Sequence, residues 1–255
     1  SIKFGYTMMH QYMYLVTNSA ATTPLDLWLP SSDIIKPQSA HQGSIGYFRN
    51  FLDDKLEGSV EAYYKYMNRL IEYKEGADIF FNANIDSQVI SGKGWSYGTE
   101  FFIKKNEGRY TGWIGYTLAW AMRNFPDLNN GKTFPAKYDR RNDLSLVGIY
   151  NFNKRLSFSG IFVFGSGHSI TMPFGYYYIP GYGQVLDYIS KNSTKLKPYN
   201  RLDIGIKYTT DYKKWYSEWR LDIYNMYNRR NPYFIYLDTD TDLRSNISKP
   251  TVKQV

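Results

Sequence analysis

The chain has 255 residues and no cysteine, and its 31 Lys and Arg against 23 Asp and Glu give a formal charge of +8. Without Cys there is no disulfide scaffold and no thiolate metal or nucleophile site, although an oxidising compartment remains open to it. No apolar run approaches the roughly 18–20 residues that a spanning helix needs. This excludes a helical membrane protein but not a membrane barrel, whose alternating strands average to a polar mean hydropathy, here −0.50.

The chain opens at Ser1 without an initiator Met, a basic region or an apolar leader. Residues 2–15 and 43–51 read as the first two strands. In 59–67, Val60, Ala62, Tyr64 and Tyr66 alternate with Ser59, Glu61, Tyr63, Lys65 and Met67. A helix would scatter these residues round its axis, whereas a strand sends them to opposite faces. Trp95, Tyr97, Phe101 and Ile103 oppose Ser96, Gly98, Glu100 and Lys104 in the next segment, and Tyr110, Ile114, Tyr116, Leu118 and Trp120 continue the pattern. Weaker alternation marks 143–151 and 155–164. The cleanest case is 201–209, where Leu202, Ile204, Ile206 and Tyr208 face Arg201, Asp203, Gly205, Lys207 and Thr209. In 218–227 the apolar set is Trp219, Leu221, Ile223 and Tyr227, with Asn225 an exception. The chain ends at Val255 in what reads as the start of another strand, so it reads as a piece of a longer protein.

Tight turns fit at 52–55, 106–108, 152–154 and 211–214. Between them fall long polar or Gly/Pro-bearing loops at 18–40, 74–92, 125–141, 167–198 and 230–250. Short and long alternate without a break. A soluble sandwich has no reason to keep its long loops on one side, but an outer-membrane barrel does. Aromatics near strand ends, among 26 Tyr, 15 Phe and 6 Trp, suit the girdles of such a barrel. The expected fold is all-β: an antiparallel up-and-down meander of about nine or ten strands, part of a transmembrane barrel. Val60, Leu202, Ile204, Trp219 and Leu221 should face lipid.

Several stretches carry a resemblance. They are Gln11-Tyr-Met-Tyr-Leu15, Thr23-Pro-Leu-Asp-Leu-Trp28-Leu-Pro30 and Tyr138-Asp-Arg-Arg-Asn-Asp-Leu144. The most specific are Arg201-Leu-Asp-Ile-Gly-Ile-Lys-Tyr208 and Asp222-Ile-Tyr-Asn-Met-Tyr-Asn-Arg-Arg-Asn-Pro-Tyr-Phe234. On these residues the chain resembles the C-terminal part of the barrel of a TonB-dependent outer-membrane receptor, most closely the Bacteroidota type with an N-terminal carboxypeptidase-regulatory-like domain. The resemblance runs over 1–255 and implies about ten of roughly 22 strands, with the plug and the first strands lying elsewhere. It implies energy-coupled uptake of a ligand (siderophore, glycan, peptide or another nutrient) across the bacterial outer membrane, and no enzyme activity. Its partners would be TonB, the plug domain, outer-membrane lipid and lipopolysaccharide, and whether a lipoprotein partner joins them is left open. No cofactor is implied.

Candidate site residues fall into two groups. Continuing the strand register from 143 places Asp139, Arg141 and Asp143 on the lumenal side, where Arg201, Asp203 and Lys207 would join them in a charge network. Trp28, Tyr176, Tyr177, Tyr178 and Tyr182, on long loops, suit stacking on a sugar, peptide or chelate. Other signals are weaker. The cluster Met8-Met9-His10 with Met13 could hold soft Cu(I), but fits strand packing better, and the three His have no ligand spacing. Gly165-Ser-Gly-His-Ser169 lacks the nucleophile elbow. Gly92-Lys-Gly-Trp-Ser-Tyr-Gly98 opens a strand rather than the helix that would hold phosphate. Lys and Arg form no stripe of the kind that tracks nucleic acid. A self-standing small barrel, either a passive porin or a surface hydrolase using His10 or His168 at the rim, is the competing reading.

Overall fold

The structure, a computed structural model, describes residues 1–16, 27–74, 77, 84–180, 183–188, 190–232, 235–242 and 247–254. Nine long strands follow one another: β1 (Ile2–Gln11), β2 (Gln38–Phe51), β3 (Leu56–Tyr73), β4 (Val89–Lys105), β5 (Tyr110–Asn124), β6 (Asn142–Asn151), β7 (Leu156–Gly165), β8 (Tyr199–Asp211) and β9 (Tyr216–Ile223). Each pairs antiparallel with the next in one meander, and the barrel is not closed. No α-helix occurs among the described residues.

Cross-strand partners lie on the same face, so the pairing register can be followed across the sheet. Tyr47 stands opposite Val60, Val60 opposite Phe101, Phe101 opposite Tyr116, Tyr116 opposite Leu144, and Leu144 opposite Phe164. Ile103, Ile114, Leu146, Phe162 and Leu202 form a parallel row on that face. Ile206 and Tyr208 carry it on to Leu221 and Trp219. Val60, Leu202, Ile204, Trp219 and Leu221 therefore share one apolar surface, which among the described residues lies open away from the long-connection rim: Phe4 is 79% exposed and Trp219 72%. On the other face Glu61, Glu100, Thr117 and Asp143 stand in a row. Two carboxylates side by side repel unless water separates them. One face is apolar and the other polar.

The connections sort by length. Turns 52–55, 106–109, 152–155 and 212–215 close one rim, while 12–37, 74–88, 125–141 and 166–198 cross the other. The long connections carry structure of their own. Met13–Val16 pairs with Leu27–Pro30, Gly175–Ile179 with Gly183–Asp187, Ser169–Ile170 with Thr194–Lys195, and Phe134–Pro135 with β5. A hairpin of Ile235–Asp242 and Ile247–Gln254 follows β9.

Among the described residues, buried apolar side chains gather only at the long-connection rim. Tyr14, Val16, Leu29, Ile35 and Tyr73 form one small core, and Leu70, Ile90, Phe125, Leu128 and Phe134 another. A bulge in β3 separates them. The register slips between Asn68 and Leu70, with Arg69 at a left-handed φ of 58°. One extra residue reverses the alternation, so Leu70 and Glu72 turn to the polar face opposite Gly92 and Ile90, and Tyr73 turns outward. The two cores thus lie on opposite sides of the sheet.

Two elements differ from the sequence reading. Residues 2–15 do not make one strand. The chain leaves β1 at Tyr12 because Tyr14 is 2% exposed and its hydroxyl sits within reach of Gln11 O, Ser31 Oγ and Lys36 O while accepting from the Gln38 N–H. Likewise β9 ends at Ile223 rather than Tyr227. The Asn225 N–H donates to Asp203 Oδ1 at 2.9 Å, and Asn225 turns the chain at a φ of 52°. The Asn that interrupted the alternation is the residue that ends the strand.

Candidate functional site

The least exposed carboxylates at the long-connection rim are Glu72, at 9%, and Asp139, at 1%. The β3 bulge aims Glu72 inward, where Arg123 Nη1 of β5 lies 3.3 Å and Lys191 Nζ 3.2 Å away. Asp139 ends a short turn after Phe134–Pro135. Its Oδ1 accepts the Ala121 N–H at 2.8 Å, and its Oδ2 meets Lys195 Nζ at 2.6 Å and Arg141 Nη2 at 3.6 Å. Both lysines come from the 166–198 connection. Asn192, between them, donates from Nδ2 to the Pro135 carbonyl at 2.9 Å. A Cβ on Gly167 would overlap the Leu196 carbonyl, so the two limbs of this connection can approach only with glycine there. Two ion pairs, each on a buried carboxylate, and the Asn192 hydrogen bond fasten this limb of the connection to its neighbours.

Next to this clamp, Arg140 Nη1 pairs with Asp143 Oδ2 at 2.8 Å, and Nη2 lies 3.0 Å from His168 Nε2. Burial holds His168 below its ordinary pKa, helped by the positive charges of Arg140 and then Lys195; a hydrogen bond to the Tyr138 backbone and the charge of Asp139 oppose them. The imidazole is thus kept neutral, with a nitrogen free to accept from Arg140. Ser166 Oγ accepts the Asn142 N–H at 2.9 Å, so Ser166 and His168 are engaged separately.

The six residues expected to form a charge network fall into separate contacts. Asp139 and Arg141 meet, but Asp143 pairs with Arg140. The Arg141 guanidinium lies over the Trp120 ring at 4.4 Å, because β6 begins only at Asn142 and residues before it escape the alternation. On β8, Arg201 pairs with Asp203 at 2.9 Å and donates to the Tyr224 hydroxyl at 2.8 Å, while Lys207 lies 3.8 Å from Glu218. Glu72, Arg123, Arg140, Lys191 and Lys195 had no signal in the period-two pattern. A bulge, an irregular turn and a long connection bring them in.

Of the aromatic candidates, Trp28 is 58% exposed on the Met13–Pro30 hairpin, opposite Leu15. Tyr177 and Tyr178 are exposed on successive positions of the 175–187 hairpin, hence on opposite faces of it. The side chain of Tyr176 and the whole of Tyr182 lie outside the described residues. Phe174, at 78% exposure just before this hairpin, is an aromatic the sequence reading passed over.

No protein-family model and no curated protein matches the chain. Solved structures do. The ferripyoverdine receptor of the outer membrane of Pseudomonas aeruginosa, bound to ferripyoverdine, superposes with a TM-score of 0.58 at 16% identity, covering 92% of this chain and 27% of the receptor. FpvA of P. aeruginosa bound to a heterologous pyoverdine gives 0.58 at 15% identity and the same coverage. The complex of FpvAI with pyocin S2 gives 0.59 at 15% identity, covering 92% of this chain and 28% of the other. The chain spans little more than a quarter of the receptors it matches. At such identity the likeness establishes the fold: an antiparallel sheet with the architecture of a TonB-dependent outer-membrane receptor barrel.

Proposed function

We propose that the chain is part of the wall of an outer-membrane receptor that takes up a scarce nutrient through TonB-dependent, energy-coupled transport. The observation that carries this is the open apolar face running in register across nine strands, with every short turn on one rim and the long connections on the other. Such a face is stable against lipid, and a polar opposite face against a water-filled or plugged lumen. The long connections then stand at the cell surface, and Trp28, Tyr177 and Tyr178 are the exposed rings that a siderophore, glycan or peptide would meet first. Asp139, Arg141, Asp143, Arg201, Asp203 and Lys207 hold the wall and the rim in shape for it. The resemblance of the sequence supports a Bacteroidota-type receptor with an N-terminal carboxypeptidase-regulatory-like domain and a plug.

The test is uptake by cells carrying the full-length protein, offered labelled ferric siderophores, cobalamin and oligosaccharides with and without a protonophore. Accumulation of one compound that stops when the proton gradient collapses is the expected result. Equal uptake in de-energised cells would mean a passive pore and overturn the reading.

A further inference from the structure

Charge is spread unevenly along the short-turn rim. The first turn and its flanks carry Asp53, Asp54 and Glu57 against Lys55. The next three hold seven cations, Lys104, Lys105, Arg109, Lys154, Arg155 and the Lys213–Lys214 pair, against Glu107 and Asp211. All but Lys104 are exposed, and none of the seven forms an ion pair among the described residues. The contrast with the opposite rim is sharp, because there Glu72 and Asp139 each hold a lysine and an arginine.

Aromatic rings line the same three turns. Tyr110 stacks on Tyr150 at 4.5 Å, and Phe152 meets Tyr150 edge-on at 6.4 Å. Tyr212 and Trp215 stack at 3.9 Å across the last turn. Tyr110, Phe152, Tyr212 and Trp215 are all exposed. Tyr110 and Tyr150 belong to the apolar face, one register step from the row of Gly112, Gly148 and Gly160, so the rings mark where that face ends. Rings with polar edges settle at the headgroup level of a bilayer. The unpaired cations lie immediately beyond them, where the phosphates of the lipid would be.

We infer that turns 106–109, 152–155 and 212–215 form a binding surface for the phosphate headgroups of anionic phospholipid in the leaflet on the short-turn side. The inference rests on the barrel proposed above. Successive turns stand two strands apart, about 10 Å, which is within a Debye length at moderate salt, so the cations act on one headgroup region together. An acidic soluble protein would satisfy the charges but not the rings, which need an apolar layer directly above.

The full-length protein reconstituted in bilayers holding spin-labelled phosphatidylglycerol, phosphatidylethanolamine or lipid A tests this through the motionally restricted lipid fraction. Phosphatidylglycerol should associate several-fold more strongly than phosphatidylethanolamine. The preference should fall to parity when Lys154, Arg155, Lys213 and Lys214 are replaced by Glu, and in the unaltered protein at high salt. The salt arm stands even where the fourfold variant fails to assemble. Equal association of both phospholipids, or a preference that survives high salt, would overturn the inference. So would a lipid A preference lost in the variant, which would put this rim in the other leaflet. A protein that restricts none of the lipids would overturn the barrel reading itself.

Discussion

Asp139 is nearly inaccessible, yet it accepts the Ala121 N–H and holds Lys195 and Arg141. Replacing it with Ala leaves the half-buried Ala121 N–H and a lysine without their acceptor. Charge-assisted hydrogen bonds of this kind are worth about 1.5–3 kcal/mol, and Lys195 is partly exposed and can rehydrate, so the lower end applies. Asp139→Ala should therefore loosen the 166–198 connection by roughly 1.5 kcal/mol, read as faster hydrogen exchange there with unchanged exchange in β8. His168 adds a pH dependence. Its pKa in the fold lies below the ordinary 6.5, so the stability it lends is complete above that value and is lost as pH falls below it. Exchange in 166–198 should quicken on acidification from about pH 7 to about pH 5. His168→Gln, which stays neutral, should flatten that response; an unchanged profile in the variant would exclude this residue as the cause.

Among the elements, β3 carries the decision that shapes the rim. Before the bulge its even residues face outward; after it Glu72 faces inward to Arg123 and Lys191. Arg69→Val is strained at a left-handed φ and favours drawing residue 69 into the regular ladder, which turns Glu72 to the apolar side, so protease should cut the 166–198 connection readily. Arg69→Gly keeps the left-handed residue at lower backbone cost and should leave the connection as resistant as before. Equal sensitivity of both variants would show that the bulge does not set the clamp. Alternation made the strands legible in the sequence, but a bulge is one residue inserted without change of composition. Its effect on Glu72 could not be read there. The end of β9 was half legible, since Asn225 broke the pattern but only Asp203, 22 residues earlier, explains why.

For the whole molecule, the register across nine strands makes each face a prediction. A cysteine at Asp203 or Lys207 should react with an aqueous thiol reagent in assembled protein, and one at Ile204 with a lipophilic one; the reverse would sink the assignment of faces. Ile204→Arg, midway along β8, should cost about 2–4 kcal/mol of insertion free energy, measured by unfolding from lipid vesicles. Ser159→Arg, on the opposite face of the neighbouring strand, should cost far less. Similar losses for both would mean that neither face meets hydrocarbon.

The period-two pattern alone determined the strands, their two faces and the alternation of short and long connections, because side-chain direction in a strand depends only on parity. The candidate site did not follow from parity. Asp143 belongs to a strand and lies on the face its position requires, whereas its partner Arg140 sits in the turn before β6, where no period operates. Glu72 changes face through a single bulge, and Lys191 and Lys195 reach their carboxylates from a connection whose path is set by tertiary contacts. Backbone periodicity is local, so a sequence can state it. Charge pairing across more than fifty residues depends on where loops come to rest, and only the folded chain decides that.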